Sequence, residues 1–135
     1  MANDGPLVLD TSALLTLRSN EAGADMVEEI LRRAARMHRP VLVSFMTRME
    51  LLYLIWRQEG ELAARQAIAV VDTFNVEWVS CEADILTRAA LLKARGGVSV
   101  ADSWIAATAI ARGATLIHKD PEFRVIADLP QQFLA

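Results

Sequence analysis

The sequence predicts an α/β fold, a single layered domain in which a parallel sheet of about five strands is flanked by helices. Three observations lead there. Short runs rich in Val, Ile and Leu alternate with longer segments whose apolar residues recur at helical spacing. The short runs are apolar at successive positions, so both faces of each strand must be covered. Glycines fall where helical patterns stop. Strands of this kind, separated by helices, are satisfied by a parallel sheet with helices on both sides. With 135 residues, 53% of them hydrophobic, the chain suits one domain, 1–135, with a genuine core.

The elements follow in order. Residues 1–6, with Asn3, Asp4, Gly5 and Pro6, read as a loose tail. The first strand runs from Leu7 to Asp10, and Asp10, Thr11 and Ser12 are all residue types that cap a following helix. Met26, Val27, Ile30, Leu31 and Ala34 repeat with helical spacing before a second strand, Val41 to Ser44. The stretch SFMTRMELLYLIW continues as a helix and carries Glu50. Ala64, Ala67, Ile68 and Val71 mark the next helix, and Val76 to Val79 the third strand. Ile85, Ala89 and Leu92 mark a helix ended by Gly96 and Gly97. VSVADSWIAATAI, residues 98 to 110, is the most apolar helix; Ser99 and Asp102 match a capping box at its start and Gly113 ends it. Thr115 to His118 is the fourth strand, and Val125 to Ala127 the candidate fifth.

Charge excludes little. A net charge of -3 and a pI near 5.4 give no general attraction for polyanions, so such a substrate needs a local patch. The one cysteine, Cys81, cannot form an internal disulfide, the N-terminus lacks a signal-peptide pattern, and no apolar run is long enough to cross a bilayer. A soluble, cytoplasmic protein without a membrane partner is the expectation.

Four acids carry the chemistry. Asp10 and Asp120 follow strands, at the carboxyl edge where open α/β sheets bind ligands. Glu50 is the only acid of a long apolar helix, and Asp102 opens the helix before the fourth strand. Singly, Asp10 and Asp102 can be caps, Asp120 before Pro121 a turn residue, and Glu50 a surface charge. Together they converge on one edge. Two carboxylates about 5 Å apart repel by roughly 3 kcal/mol at an effective dielectric near 20, so such a cluster calls for a cation or for protons. Oxygen ligands without a His or Cys set suit Mg²⁺, with Mn²⁺ as a substitute, and a hard cation beside a phosphate points to phosphodiester hydrolysis.

The set LDTSALL around Asp10, TRMELLYLI around Glu50, SVADSWIAATAI around Asp102 and LIHKDPEF around Asp120 resembles the PIN domain family in order and spacing, over nearly the whole chain. That resemblance implies a metal-dependent ribonuclease on a five-stranded parallel sheet. At this length it is most similar to VapC-type toxins of toxin–antitoxin systems, which cut RNA, are silenced by a cognate antitoxin and commonly form homodimers. By position it implies that Asp10, Glu50, Asp102 and Asp120 form the catalytic, metal-binding site, and that Thr11 or Ser12 offers a hydroxyl beside metal or phosphate. Many members have Thr or Ser two places before the last Asp, where this chain has His118, a further candidate for substrate contact beside its reading as an ordinary strand-end histidine.

Other functions remain open on residues alone. An RNA-processing PIN nuclease that is not a toxin would share every motif. A phosphoacceptor domain would use Asp10 alone; a haloacid-dehalogenase-type phosphatase would want an Asp where Ser12 stands; a non-catalytic binding module would not need four mutually repelling acids. Arg32, Arg33, Arg36 and Arg39, with His38, form a basic cluster that could hold phosphates but reads first as a solvated helix face, because Glu28 and Glu29 can pair with Arg32 and Arg33. Trp104 or Tyr53 can stack on a base, but as aromatics they read first as core or interface packing.

Overall fold

The computed structural model describes residues 5–134. Five parallel strands, β1 (Leu7–Leu9), β2 (Val41–Ser44), β3 (Val76–Val79), β4 (Thr115–His118) and β5 (Gln131–Phe133), form one sheet in the order β3-β2-β1-β4-β5. Six helices connect them: α1 (Thr11–Arg18), α2 (Ala24–Arg36), α3 (Phe45–Glu59), α4 (Glu61–Asp72), α5 (Ala83–Arg95) and α6 (Val100–Ala111). A short 3-10 helix, Pro121–Val125, leads from β4 toward β5. The expected α/β sheet flanked by helices is therefore present. Of the expected tail, residues 1–4 lie outside the described residues; the carbonyl of Pro6 accepts the Thr115 backbone N–H.

Alternation along the strands sorts the core into two layers. Val8, Leu42 and Leu116 point to one face and pack with Ile85, Ala89, Leu92, Ile105, Ala106 and Ala109 of α5 and α6. Leu9, Val43 and Ile117 point to the other face, against Leu14, Val27, Leu31, Leu51 and Ile68 of α1 to α4. A fully buried aliphatic side chain contributes about 1.5–3 kcal/mol, so both layers hold the central strands firmly. In α6, Ile105, Ala106, Ala107 and Ala109 are all fully buried, which the small alanine side chains permit by letting the helix lie close on the sheet and α5. Helices α3 and α4 form a tight hairpin around Gly60, whose φ of +97° is a left-handed value that a side chain would strain.

One strand differs from expectation. Val125 ends the 3-10 helix and is 60% exposed, while Ile126 is buried in the core and only residues Gln131–Phe133 pair with β4. Of the run Val125 to Ala127 only Ile126 is an anchor, and the fifth strand is the edge strand Gln131–Phe133, whose two glutamines carry no apolar pattern.

Candidate active site

The order in which strands are added reverses between β1 and β4: β1 leads outward through β2 to β3, and the chain returns to place β4, parallel to β1, on its other side. Such a switch point leaves a crevice at the carboxyl ends of the strands. Asp10 and Asp120 flank it, one immediately after β1 and the other two residues after β4. The helix starts of α3 and α6 bring Glu50 and Asp102 toward the same edge.

Each acid has a local reason for its place. Asp10 caps α1, its Oδ1 accepting the Ala13 N–H at 3.0 Å and the Ser12 hydroxyl at 2.7 Å. The Ser12 oxygen in turn accepts the Lys119 N–H at 2.8 Å, so one serine ties the exit of β1 to the exit of β4. Ser99 caps α6 by accepting the Asp102 N–H at 3.1 Å, as half of the expected capping box. The Asp102 carboxylate supplies the other half's residue type but lies instead with those of Asp120 and Glu122, one oxygen of each falling within 4.8 Å of the others. Asp120 caps the 3-10 helix through the Glu122 N–H at 2.9 Å. Glu50, half-buried in α3, receives the Thr11 hydroxyl at 2.6 Å, and Thr11 also reaches Thr47 at 3.2 Å inside the core. The capping readings and the shared-site reading thus hold for the same residues.

Asp102 feels the charges of the other three acids, and Asp10 that of Asp120. Asp10 is 2% exposed, and burial pushes its carboxyl up to about 7 despite the Ser12, Ala13 and backbone hydrogen bonds that favour its charge; the charge of Asp120 pushes the same way. Asp102, 7% exposed, is pushed up to about 7, first by burial and then by the charges of Asp120 and Glu50, with hydrogen bonding to Glu122 and the charge of Asp10 adding to it. Asp10, Glu50, Asp102 and Asp120 are expected at one edge from the sequence, and Glu122, not among those expected, joins Asp102 and Asp120 there. Its signal was present: Glu122 lies in the first turn of the 3-10 helix that Asp120 caps, two residues on.

His118 is 1% exposed, its ring lying 4.9 Å from that of Phe123 and 5.7 Å from that of Phe133. Burial lowers its pKa, and both ring nitrogens have protein partners, Asp120 N–H and the Gln131 amide. The arginine cluster lies elsewhere. Arg33, Arg36 and Arg39 line a cavity of about 870 Å³ beside Leu7 and Val41, the first residues of β1 and β2, at the opposite edge of the sheet. Arg32 pairs with Glu28, and Arg36 with Glu29. Trp104 packs edge-on against Phe45 at 4.9 Å and lies on the core, while Tyr53 is 40% exposed with Arg57 over its ring.

An all-oxygen set of carboxylates, two of them raised to about 7 by burial and mutual repulsion, fits a hard divalent cation, whose charge would offset both effects.

Comparison with known proteins agrees on the architecture. The chain is similar to the structure of VapBC2 from Rickettsia felis bound to a DNA fragment from its promoter, at 18% identity and a TM-score of 0.78 over 96% of this chain and 98% of that one. It is similar to VapBC-1 from nontypeable Haemophilus influenzae at 25% identity and a TM-score of 0.70, over 95% and 97%. It is similar to VapC20 from Mycobacterium tuberculosis, a toxin that cleaves the sarcin–ricin loop, at 20% identity and a TM-score of 0.67, over 90% and 95%. No curated protein matches it in sequence. The family model for the PIN domain matches residues 7–129, which include all four acids, and the chain belongs to the PIN domain family.

Proposed function

We propose that this chain is a divalent-metal-dependent endoribonuclease, the toxin of a toxin–antitoxin pair. The observation that carries the reading is the convergence of Asp10, Glu50, Asp102 and Asp120, none of which has a cationic partner among the described ion pairs. Asp102, Asp120 and Glu122, whose oxygens lie within 4.8 Å of one another, would hold the cation, and Asp10 and Glu50, whose charges act on Asp102, would complete the site directly or through water. Mg²⁺, or Mn²⁺ in its place, would supply a water of lowered pKa and neutralise phosphate charge.

The chain's own residues then do three things. Glu50, held by the Thr11 hydroxyl, keeps a carboxylate oxygen aimed along one lone-pair direction and can orient the attacking water. Ser12, engaged by both Asp10 and the Lys119 N–H, fixes the width of the crevice between β1 and β4. Because both hydroxyls are engaged by the site, Thr11 and Ser12 act by orienting acids.

The partners follow from the relatives. Similarity to VapBC toxin–antitoxin structures supports a cognate antitoxin, and similarity to VapC20, a sarcin–ricin loop cleaving toxin, supports RNA as substrate. Helix α3 presents Met49, Tyr53 and Trp56 on one exposed stripe, an apolar surface consistent with a homodimer. The absence of any helix among the described residues that is long and apolar enough to cross a membrane is consistent with a cytoplasmic location.

The test is cleavage of an end-labelled RNA pool by purified protein freed of any partner, with Mg²⁺, Mn²⁺ or EDTA, beside Asp102→Asn. Discrete cuts that vanish with EDTA and in the variant are expected. An intact pool, with fold and metal binding verified, would overturn the nuclease reading. Growth arrest on expression of the wild type but not of Asp102→Asn tests the toxin assignment separately.

A further inference from the structure

Asp120 differs from the other three acids in that it neither lies in an α-helix nor caps one. It begins a five-residue 3-10 helix, and its own carboxylate oxygen is drawn toward the Glu122 N–H. Two backbone anchors flank it. The Lys119 N–H is held by Ser12, and the Asp120 N–H is held at 3.1 Å by His118 Nδ1.

The proton arrangement of that second anchor is fixed by a chain of partners that starts at two carbonyls. Gln131 places its amide nitrogen on the carbonyls of Phe123 at 3.0 Å and Ile126 at 3.4 Å, so that end must be the NH₂ and the other end the oxygen. That oxygen faces His118 Nε2 at 2.9 Å and can only accept, so Nε2 carries the hydrogen. Nδ1 is then bare, which is what the Asp120 N–H requires of it. The ring cannot rotate away, because it is 1% exposed and lies beside the rings of Phe123 and Phe133. The backbone of His118 is pinned as well, its carbonyl accepting the Leu134 N–H at 2.7 Å. Strand β5 therefore reaches the acidic crevice through one imidazole, although it contributes no carboxylate to it.

We infer that His118 is a positioning residue, oriented by Gln131, which holds the Asp120 backbone so that its carboxylate stays with those of Asp102 and Glu122. This rests on the reading that these acids bind a divalent cation. His118 touches neither substrate nor reacting atoms; its effect passes through Asp120 alone. That route gives a specific pattern of failure. A side chain that keeps an acceptor at the Nδ1 position should keep the site, and one that keeps only bulk should not.

The experiment is Mn²⁺ titration of the purified, RNA-free protein, read by calorimetry or by the paramagnetic signal of the free ion. The variants are His118→Leu, His118→Asn, Asp120→Asn, and His118→Leu with Asp120→Asn already in place. His118→Leu should weaken Mn²⁺ binding roughly 10- to 100-fold, the usual effect of removing a partner that orients a ligand. His118→Asn, whose side-chain oxygen can accept the Asp120 N–H, should stay within a few-fold of wild type even though its thermal midpoint falls with that of the Leu variant. With Asp120→Asn in place, His118→Leu should cause no further loss. Unchanged binding by His118→Leu, equal losses in the Leu and Asn variants, or a loss that persists without Asp120 would each overturn the positioning role. Should His118→Leu not fold, Gln131→Met leaves the ring and its packing in place: weaker Mn²⁺ binding supports the role and unchanged binding overturns it. Wild-type protein that binds no Mn²⁺ would instead overturn the metal reading itself, and this inference with it.

Discussion

The carboxylates of this protein fall into two populations that obey opposite rules. On the outer helices, acids sit opposite arginines: Glu59 receives Arg18, and Asp72 receives both Arg48 and the Trp78 indole N–H. Those hydrogen bonds hold Glu59 and Asp72 below the usual carboxylate range. At the crevice between β1 and β4 the surroundings of Asp10 and Asp102 are other acids and buried backbone, and both are pushed up to about 7. The chain has 14 Lys and Arg residues, enough to neutralise either group, yet the described ion pairs all lie outside the crevice. Folding has thus left without a cationic partner the acids that water screens least, which is what the proposed metal site calls for.

The largest consequence concerns activity. Asp10→Asn and Asp102→Asn should each lower metal-dependent RNA cleavage by about a thousand-fold or more, since each removes a charge that preorganised electrostatics at the phosphate depends on. Single-turnover rates at saturating Mg²⁺ check this. A variant within about ten-fold of wild type would remove that residue from the site. Thr11→Val is the next step down. It keeps shape but takes away the 2.6 Å hydrogen bond to Glu50, and a drop of roughly ten-fold in rate is expected, the lower range for losing an orienting partner. The accompanying loss of stability should be near 1 kcal/mol, measured by denaturant midpoint.

The same contrast predicts how stability of the metal-free protein depends on pH. For Asp10 and Asp102 the folded state binds a proton more tightly than the unfolded chain, whose Asp titrates near 3.8. Their contribution is therefore fully present below about pH 4 and is lost as pH rises toward and through about 7. The metal-free midpoint should fall between pH 5.5 and pH 8 by a few degrees, and Mn²⁺ should remove most of that fall. Asp102→Asn should raise the metal-free midpoint at pH 8, a variant more stable and inactive at once. A midpoint that rises over this interval, with or without the substitution, would mean that the acids are ionised at little cost and that the crevice is wetter than its burial indicates.

How much of this was legible in the sequence depends on how local the signal was. Strands β1, β2 and β4 were readable because their apolar runs must be buried on both faces, and β3 from Val76, Trp78 and Val79 although Glu77 is exposed on that edge; Asp10 and Asp120 could be placed at strand ends from those runs alone. Strand β5 was not, since Gln131 and Gln132 carry no apolar pattern and pair on one side only. Val125 to Ala127 had the composition of a strand, but Asp120 and Pro121 had already set the chain into a 3-10 turn that buries Ile126 instead. Glu122 was missed for a related reason: its place beside Asp102 is a product of that turn, and a sequence shows spacing but not the bend. The Glu50–Thr11 bond spans 39 residues and the His118–Gln131 bond joins neighbouring strands, so neither could be seen before the strand order was known.

The smallest effect separates the two populations most cleanly. Asp72→Asn breaks a surface pair in which both Arg48 nitrogens lie 3.2 Å from the carboxylate and both side chains are 42% exposed. Exposed pairs contribute little because water screens the charges and both side chains lose freedom on pairing. The thermal midpoint should shift by less than in any variant above, cleavage should be unchanged, and the pH dependence of the metal-free protein should keep its slope. A loss of cleavage in Asp72→Asn would tie the Arg48 side of α3 to the Glu50 side of the same helix. The acids of this protein would then form one coupled network, with no division between surface pairs and an uncompensated crevice.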